Sequence, residues 1–175
     1  MRLRLRFLWL IIASFFKTPI TLLDESVLNL CVLPNDVDVS KITNDRYSAL
    51  MDLGRLDLAF RCGLRNAMFK YKWVPVATYN TIRFRYPLKI FQMYQLRTRV
   101  IWWNDTTFYW EQNFFRNGRI VATGHVCATV VKNGVVPSKD ILAVIGPDLA
   151  RPEMPEIVGR LIEAENLIRE SQKTL

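Results

Sequence analysis

The chain has 175 residues, of which 50% are hydrophobic, 23% charged and 12% aromatic, with a formal net charge of +8. That balance suits one globular domain with a sizeable core and excludes a disordered chain. Lys and Arg run along the whole length without a dense cluster, which leaves an anionic membrane surface or an acidic small ligand as partners and speaks against nucleic acid.

The first element is MRLRLR followed by FLWLIIASFF. As a helix, the apolar run of residues 7–16 is roughly 15 Å long, half of a bilayer core of about 30 Å, so it cannot span. A basic start and a short apolar run have the form of a signal peptide, but KTPIT follows without a small-x-small cleavage site. The expectation is a helix docked on the domain or lying at a membrane surface. SVLNLCVL (residues 26–33) reads as a strand, and PNDVDVSK as a loop. Thr43, Asn44 and Asp45 are all favourable helix caps. The run YSALMDLGRLDLAFRCGL then places Tyr47, Leu50, Met51, Leu53 and Leu58 on one wide apolar face. Gly54 inside that helix costs about 1 kcal/mol against Ala, which points to the close approach of another backbone, and Gly63 suits the helix end.

After Trp73 the period changes to two. TYNTIRFRYP, YQLRTRVIWW, TTFYWEQNFF and RIVATGHVCATVVK read as four long strands, with NDT and RNG as turns. The expectation is a meander of these strands in one curved antiparallel sheet, an α+β layer arrangement with one buried helix. SKDILAVIG is a short helix, and IVGRLIEAENLIRE a final one with Ile157, Leu161 and Ile168 at helical spacing. The division is residues 1–21, an apolar helix; 22–145, the domain; and 146–175, a helical tail. Cys31, Cys62 and Cys127 have no metal-like spacing, and the odd, sparse set predicts reduced thiols and a cytoplasmic setting. Asn104-Asp105-Thr106 matches a glycosylation sequon, which that setting discounts. A single histidine, His125, excludes a multi-histidine metal site.

In order and spacing, LPNDVDVSKITNDRYSALMDLGRLDLAFRCGL and FRYPLKIFQMYQLRTRV resemble the acyl-CoA thioesterase-like branch of the 4-hydroxybenzoyl-CoA thioesterase family, over residues 22–142. The resemblance implies a hotdog fold, a curved antiparallel sheet wrapped around one central helix. It implies a homodimer or a tetramer of dimers. It also implies a thioester substrate on coenzyme A or an acyl carrier protein, with no cofactor beyond the coenzyme A of the substrate. The family's loop reads D-x-D-x-x-x-H-x-N-N-x-x-Y, and an Asp of it acts as base or nucleophile. Asp36 and Asp38 match the two acids, and Asn44 and Tyr47 match the Asn and Tyr. The loop here is one residue shorter, Lys41 or Ile42 falls where the family has His, and Thr43 replaces the neighbouring Asn. Asp38 is the best match to the catalytic acid, with Asp36 the alternative register.

Thioester hydrolysis needs a base and donors for the developing oxyanion. Residues 43–47 at a helix start supply unpaired N–H groups and a partial positive end, and Asn44 would orient the acid or the water. The alternative is that the two acids only stabilise the loop while Asn44 or Asp45 caps the helix. Arg83, Arg85, Arg97 and Arg99 alternate with apolar residues. They are expected to share one solvent-facing surface, either for coenzyme A phosphates or for cross-strand pairs with acids such as Glu111. His125 reads as a structural strand residue, with stand-in for the missing loop His as the alternative. Trp102, Trp103, Phe108, Tyr109 and Trp110 read as packing, some lining an acyl tunnel. The first expectation is therefore a fatty-acyl thioesterase. Its rival is a hotdog protein that binds acyl-CoA or a protein partner without turnover, and a third reading makes the N-terminal helix a peripheral membrane contact.

Overall fold

The computed structural model describes residues 4–173. Its elements in chain order are α1 (Arg4–Ser14), β1 (Ser26–Cys31), a 3-10 turn (Pro34–Asp36), α2 (Asn44–Arg61), α3 (Leu64–Tyr71), β2 (Val74–Phe84), β3 (Met93–Trp103), β4 (Thr107–Arg116), β5 (Arg119–Val131), α4 (Ser138–Ile145) and α5 (Glu156–Lys173). Five antiparallel strands form one sheet in the order β1-β3-β4-β5-β2. The sheet wraps α2, whose Tyr47, Leu50, Met51, Leu53 and Leu58 are buried against it. This is the expected α+β hotdog arrangement.

Two expectations need correction. The four long strands are not a simple meander: β3, β4 and β5 follow one another, but β2 crosses to the far side and pairs with β5. A period of two tells which face a side chain takes, not which strand lies alongside. Arg83 on β2 and Arg97 and Arg99 on β3 are therefore separated by two strands and share no local patch. The second correction is α3, which was not foreseen. Gly63, at φ 96°, does close α2, but the chain restarts a helix at Leu64 and buries Leu64 and Ala67.

Side chains alternate across the sheet. Gln112 faces α2, its Nε2 donating to the Met51 carbonyl at 2.9 Å, so its neighbour Glu111 points to the outer face. There Glu111 meets Arg99 at 2.8 Å and His125 at 3.6 Å. The bond to His125, then Arg99, holds the Glu111 carboxyl down to about 2. His125 is thus a sheet-face partner of Glu111, on the opposite side of the sheet from α2. The helix α5 covers another part of this face, packing Val158 and Leu161 on Ile101, Tyr109 and Cys127. Ile157 and Ile168, placed at helical spacing in the sequence, stay exposed.

The N-terminal helix packs on α2, with Leu10 in the common core. Its other side leaves Leu5, Phe7, Leu8, Trp9, Ile12, Phe15 and Phe16 exposed. Two buried carboxylates hold this segment. Arg6 Nη2 reaches Asp36 at 2.7 Å, and Lys17 Nζ reaches Asp57 at 2.6 Å. Asp57, fully buried on α2, also accepts from the Ser26 hydroxyl at 2.6 Å and faces Arg61 at 3.5 Å. Among the described residues no helix is long and apolar enough to cross a membrane.

Candidate functional site

The Asp loop opens with the 3-10 turn and closes with a short bridge between Val37 and Ile42. The turn points Asp36 inward. It is 1% exposed, accepts from the Leu33 N–H at 3.0 Å, and is ion-paired with Arg6. Among the described residues its Oδ1 has no hydrogen-bond partner, and neither do the buried Nη1 of Arg6 and the hydroxyl of Tyr94. Asp38 lies at the exposed tip, without a side-chain partner among the described residues. The two acids that the spacing put together are thus held apart, one under α1 and one in solvent. Ile42 anchors the far side of the loop, buried, its N–H donating to the Leu88 carbonyl at 2.9 Å.

At the start of α2, Thr43 is the N-cap in extended conformation, and its N–H meets the Asp36 carbonyl at 3.4 Å. The Asp45 carboxylate takes the Thr43 hydroxyl and also hydrogen-bonds to its own and the Arg46 backbone N–H, so that its pKa is lowered, the Thr43 bond being the main cause. A carboxylate therefore already occupies part of the positive helix end. Asn44, the first helical residue, is exposed with no bonded side chain among the described residues. Tyr47 is buried, edge-on to Phe84 and Phe114 at 5.0 and 4.9 Å, and hydrogen-bonded to the backbone of Leu88. Burial pushes its hydroxyl up. It clamps the end of β2 to the helix start. Arg83 and Arg85 are exposed along and just past β2.

A second assembly, further along α2, escaped the sequence reading. An apolar cavity of about 300 Å³ lies between α2, α3, α4 and the sheet, walled by residues such as Leu56, Met68, Trp73, Phe108, Trp110 and Ile141. Phe108 and Trp110, buried in the core, also line this cavity. Two charged side chains, Asp52 and Arg55, join the lining. Arg55 pairs with Asp52 and donates to Gln112 Oε1 at 2.6 Å. Burial lowers its pKa, and Asp52 opposes that shift. Gln112, fully buried, uses its amide N–H groups on the Met51 carbonyl and on Thr98 Oγ1, both at 2.9 Å. The result is a continuous polar relay, Thr98–Gln112–Arg55–Asp52, from the core to the cavity lining. Gly54 makes room for it: a methyl there would overlap the Thr98 hydroxyl and lie 2.8 Å from Gln112 Nε2. The close approach read from Gly54 is real, but the neighbours are side chains. The spacing of Asp52 and Arg55 on a helix, and one glutamine in an apolar strand, were the available signals.

Among the described residues no group of three or more His, Cys, Asp or Glu could hold a metal ion. The cavity suits a hydrocarbon chain, with an acid and a rigidly held guanidinium beside it. The loop offers one free carboxylate near a helix start.

Comparison with known proteins agrees with this architecture. A family profile described as the Thioesterase-like superfamily matches residues 32–160. Protein THEM6 from Xenopus laevis is 31% identical over 149 residues, spanning 81% of this chain and 69% of that protein. A probable thioesterase from Bartonella henselae superposes with a TM-score of 0.59 at 19% identity, covering 65% of this chain and 97% of that one. A hypothetical protein from Staphylococcus aureus, solved in complex with CoA, superposes with a TM-score of 0.63 at 9% identity, over 81% of this chain and 96% of that one.

Proposed function

Because the chain belongs to the thioesterase-like superfamily, we propose that it takes an acyl thioester of coenzyme A, seats the acyl chain in the cavity beside Asp52 and Arg55, and hydrolyses it. The observation that carries this reading is the cavity itself. It is apolar, of ligand-site size, and bears a few fixed polar groups, which is the form of small-molecule sites. Its hydrocarbon walls favour a fatty-acyl group over a small polar one.

One chain leaves the cavity and the loop at different places along α2. Asp52 lies eight residues beyond Asn44, about 12 Å along the helix. A homodimer resolves this. The strand β2 is an 11-residue sheet edge with Val74 and Val76 exposed, and long unprotected edges pair. Antiparallel pairing of two β2 strands puts the start of one, which lines the cavity through Pro75, Val76 and Ala77, beside the end of the other. That end leads to Leu88 and the Asp loop. The loop of one protomer then reaches the cavity of its partner.

In that arrangement Asp38 is the base. It takes a proton from water as the water oxygen bonds to the carbonyl carbon; the carbon–sulfur bond then breaks and the thiolate recovers the proton. Asp36, buried against Arg6, stabilises the loop. A second reading has specific support. With no loop His, and with Asp45 occupying the helix end where an oxyanion would form, the chain binds acyl-CoA without turning it over. Thiol release from short to long acyl-CoAs, by wild type and Asp38→Asn, decides. Turnover lost in the variant supports hydrolysis; tight binding without release supports the second reading. Light scattering tests the dimer, and Val76→Lys is expected to yield monomer.

A further inference from the structure

The hairpin between β4 and β5 ends in a charge arrangement that the fold does not need. Arg116 and Arg119 stand directly opposite each other across the Asn117-Gly118 turn, whose φ angles are 51° and 72°. Like charges opposed on neighbouring strands destabilise the pairing. Among the described residues neither meets a carboxylate, and neither do Arg83 and Arg85. Elsewhere on the sheet the opposite holds: Arg97 pairs with Glu25 and Arg99 with Glu111.

The segment that follows β2 lies against this hairpin. The N–H groups of Arg85 and Tyr86 both donate to the Val121 carbonyl, at 2.9 and 3.1 Å. A hollow opens between them, lined by Tyr86, Pro87, Arg116, Asn117, Arg119 and Val121. A second hollow shares Arg116 and takes in Arg97, whose buried Nε has no hydrogen-bond partner among the described residues. Arg116 lines both hollows, with Arg119 beside one and Arg97 beside the other. Two residues past Pro87, Lys89 pairs through its backbone with Lys41 of the Asp loop, which brings two more cationic residues to this end.

Resting on the thioester reading above, we propose that this end of the sheet holds the phosphate groups of coenzyme A. Guanidinium forks match phosphate oxygens in pairs, and the ligand carries several phosphates to relieve the repulsion between Arg116 and Arg119. The exposed ring of Tyr86 offers a face for the adenine, since every base can stack on an aromatic side chain. The pantetheine arm then runs past Leu88, which is hydrogen-bonded to Ile42 of the loop, and delivers the thioester to the loop.

The test is calorimetric binding of coenzyme A and of an acyl-pantetheine, which lacks the nucleotide phosphates. The proteins are wild type, Arg116→Ala/Arg119→Ala, Arg116→Lys and, as a charge control, Arg160→Ala on α5. Both hairpin arginines project from a surface turn, and circular dichroism checks the fold of each variant. The double variant is expected to bind coenzyme A at least roughly tenfold more weakly, from the loss of charge-assisted hydrogen bonds. Arg116→Lys falls between, acyl-pantetheine binding is unchanged, and Arg160→Ala behaves as wild type. Equal coenzyme A affinity in wild type and double variant overturns this site and leaves the thioester reading standing. Wild type that binds acyl-pantetheine but not coenzyme A overturns the site and points to another carrier. Wild type that binds neither overturns the thioester reading itself.

Discussion

Gly54→Ala is the sharpest probe of the polar relay beside the cavity. Helix propensity alone favours alanine by about 1 kcal/mol. The surroundings oppose it. The new methyl would overlap the Thr98 hydroxyl, approach Gln112 Nε2 to 2.8 Å and touch Leu96 Cδ2 at 3.0 Å. Overfilling a packed core costs roughly 1–3 kcal/mol. Pushing Thr98 away also leaves a fully buried Gln112 N–H without its acceptor, a further ~1–3 kcal/mol. The net expectation is a loss of about 1–5 kcal/mol, read as a lower urea midpoint at unchanged slope. Thr98→Ala removes the obstructing oxygen, so in the double variant the two losses should fall short of additivity by about 1 kcal/mol or more. A Gly54→Ala protein as stable as wild type would refute the reasoning, and so would strict additivity. Because Arg55 is held through Gln112, the same variant should also weaken acyl-CoA binding.

Arg6→Ala strands Asp36 in a buried site with one N–H partner, which is expected to cost about 3 kcal/mol; Asp36→Asn should cost less, because Arg6 keeps the Cys31 carbonyl at 2.8 Å, and denaturant curves for the pair decide. Glu111 is depressed from 4.5 to about 2 in the folded state, chiefly by the bond to His125. Its contribution is therefore whole above pH 4.5 and lost as pH falls toward 2; Glu111→Gln should flatten the stability profile in that window, and an unchanged profile would contradict the assignment. Burial pushes the Cys62 and Cys127 thiols up to about 11 and 12. Alkylation followed by mass spectrometry at pH 8 should mark the half-buried Cys31 first, and reach the other two only on unfolding.

Much of this fold is visible in local patterns. The apolar face of α2, the alternation in β3, β4 and β5, and the Asn117-Gly118 turn each follow from short-range rules. What those rules lack is pairing. Nothing in TIRFRYP shows that β2 passes over to β5, so its arginines looked like neighbours of those on β3. The helix after Gly63 was hidden because the glycine that ends α2 also permits the turn into α3. The loop was found by spacing, yet the fate of Asp36 depends on Arg6, 30 residues away, and no local pattern links them. The cavity relay joins residues from α2, β3 and β4, and its local signals, Gly54, the Asp52–Arg55 spacing and a lone strand glutamine, do not show that they meet.

The two ion pairs that hold the N-terminal segment also set a timetable for synthesis. The first helix leaves the ribosome long before its anchors exist. Asp57 follows Lys17 by 40 residues, roughly 2–8 s at 5–20 residues per second, and the sheet that closes over α2 comes later still. During that interval a highly apolar helix with cationic flanks is unclaimed, and whatever meets it first, a chaperone or a lipid surface, has an opportunity that the finished fold partly withdraws. Slowing translation between residues 17 and 57 should lengthen that opportunity, and a start site moved to Leu22 would abolish it while stripping Asp36 of Arg6 and leaving Asp57 to Ser26 and Arg61 alone.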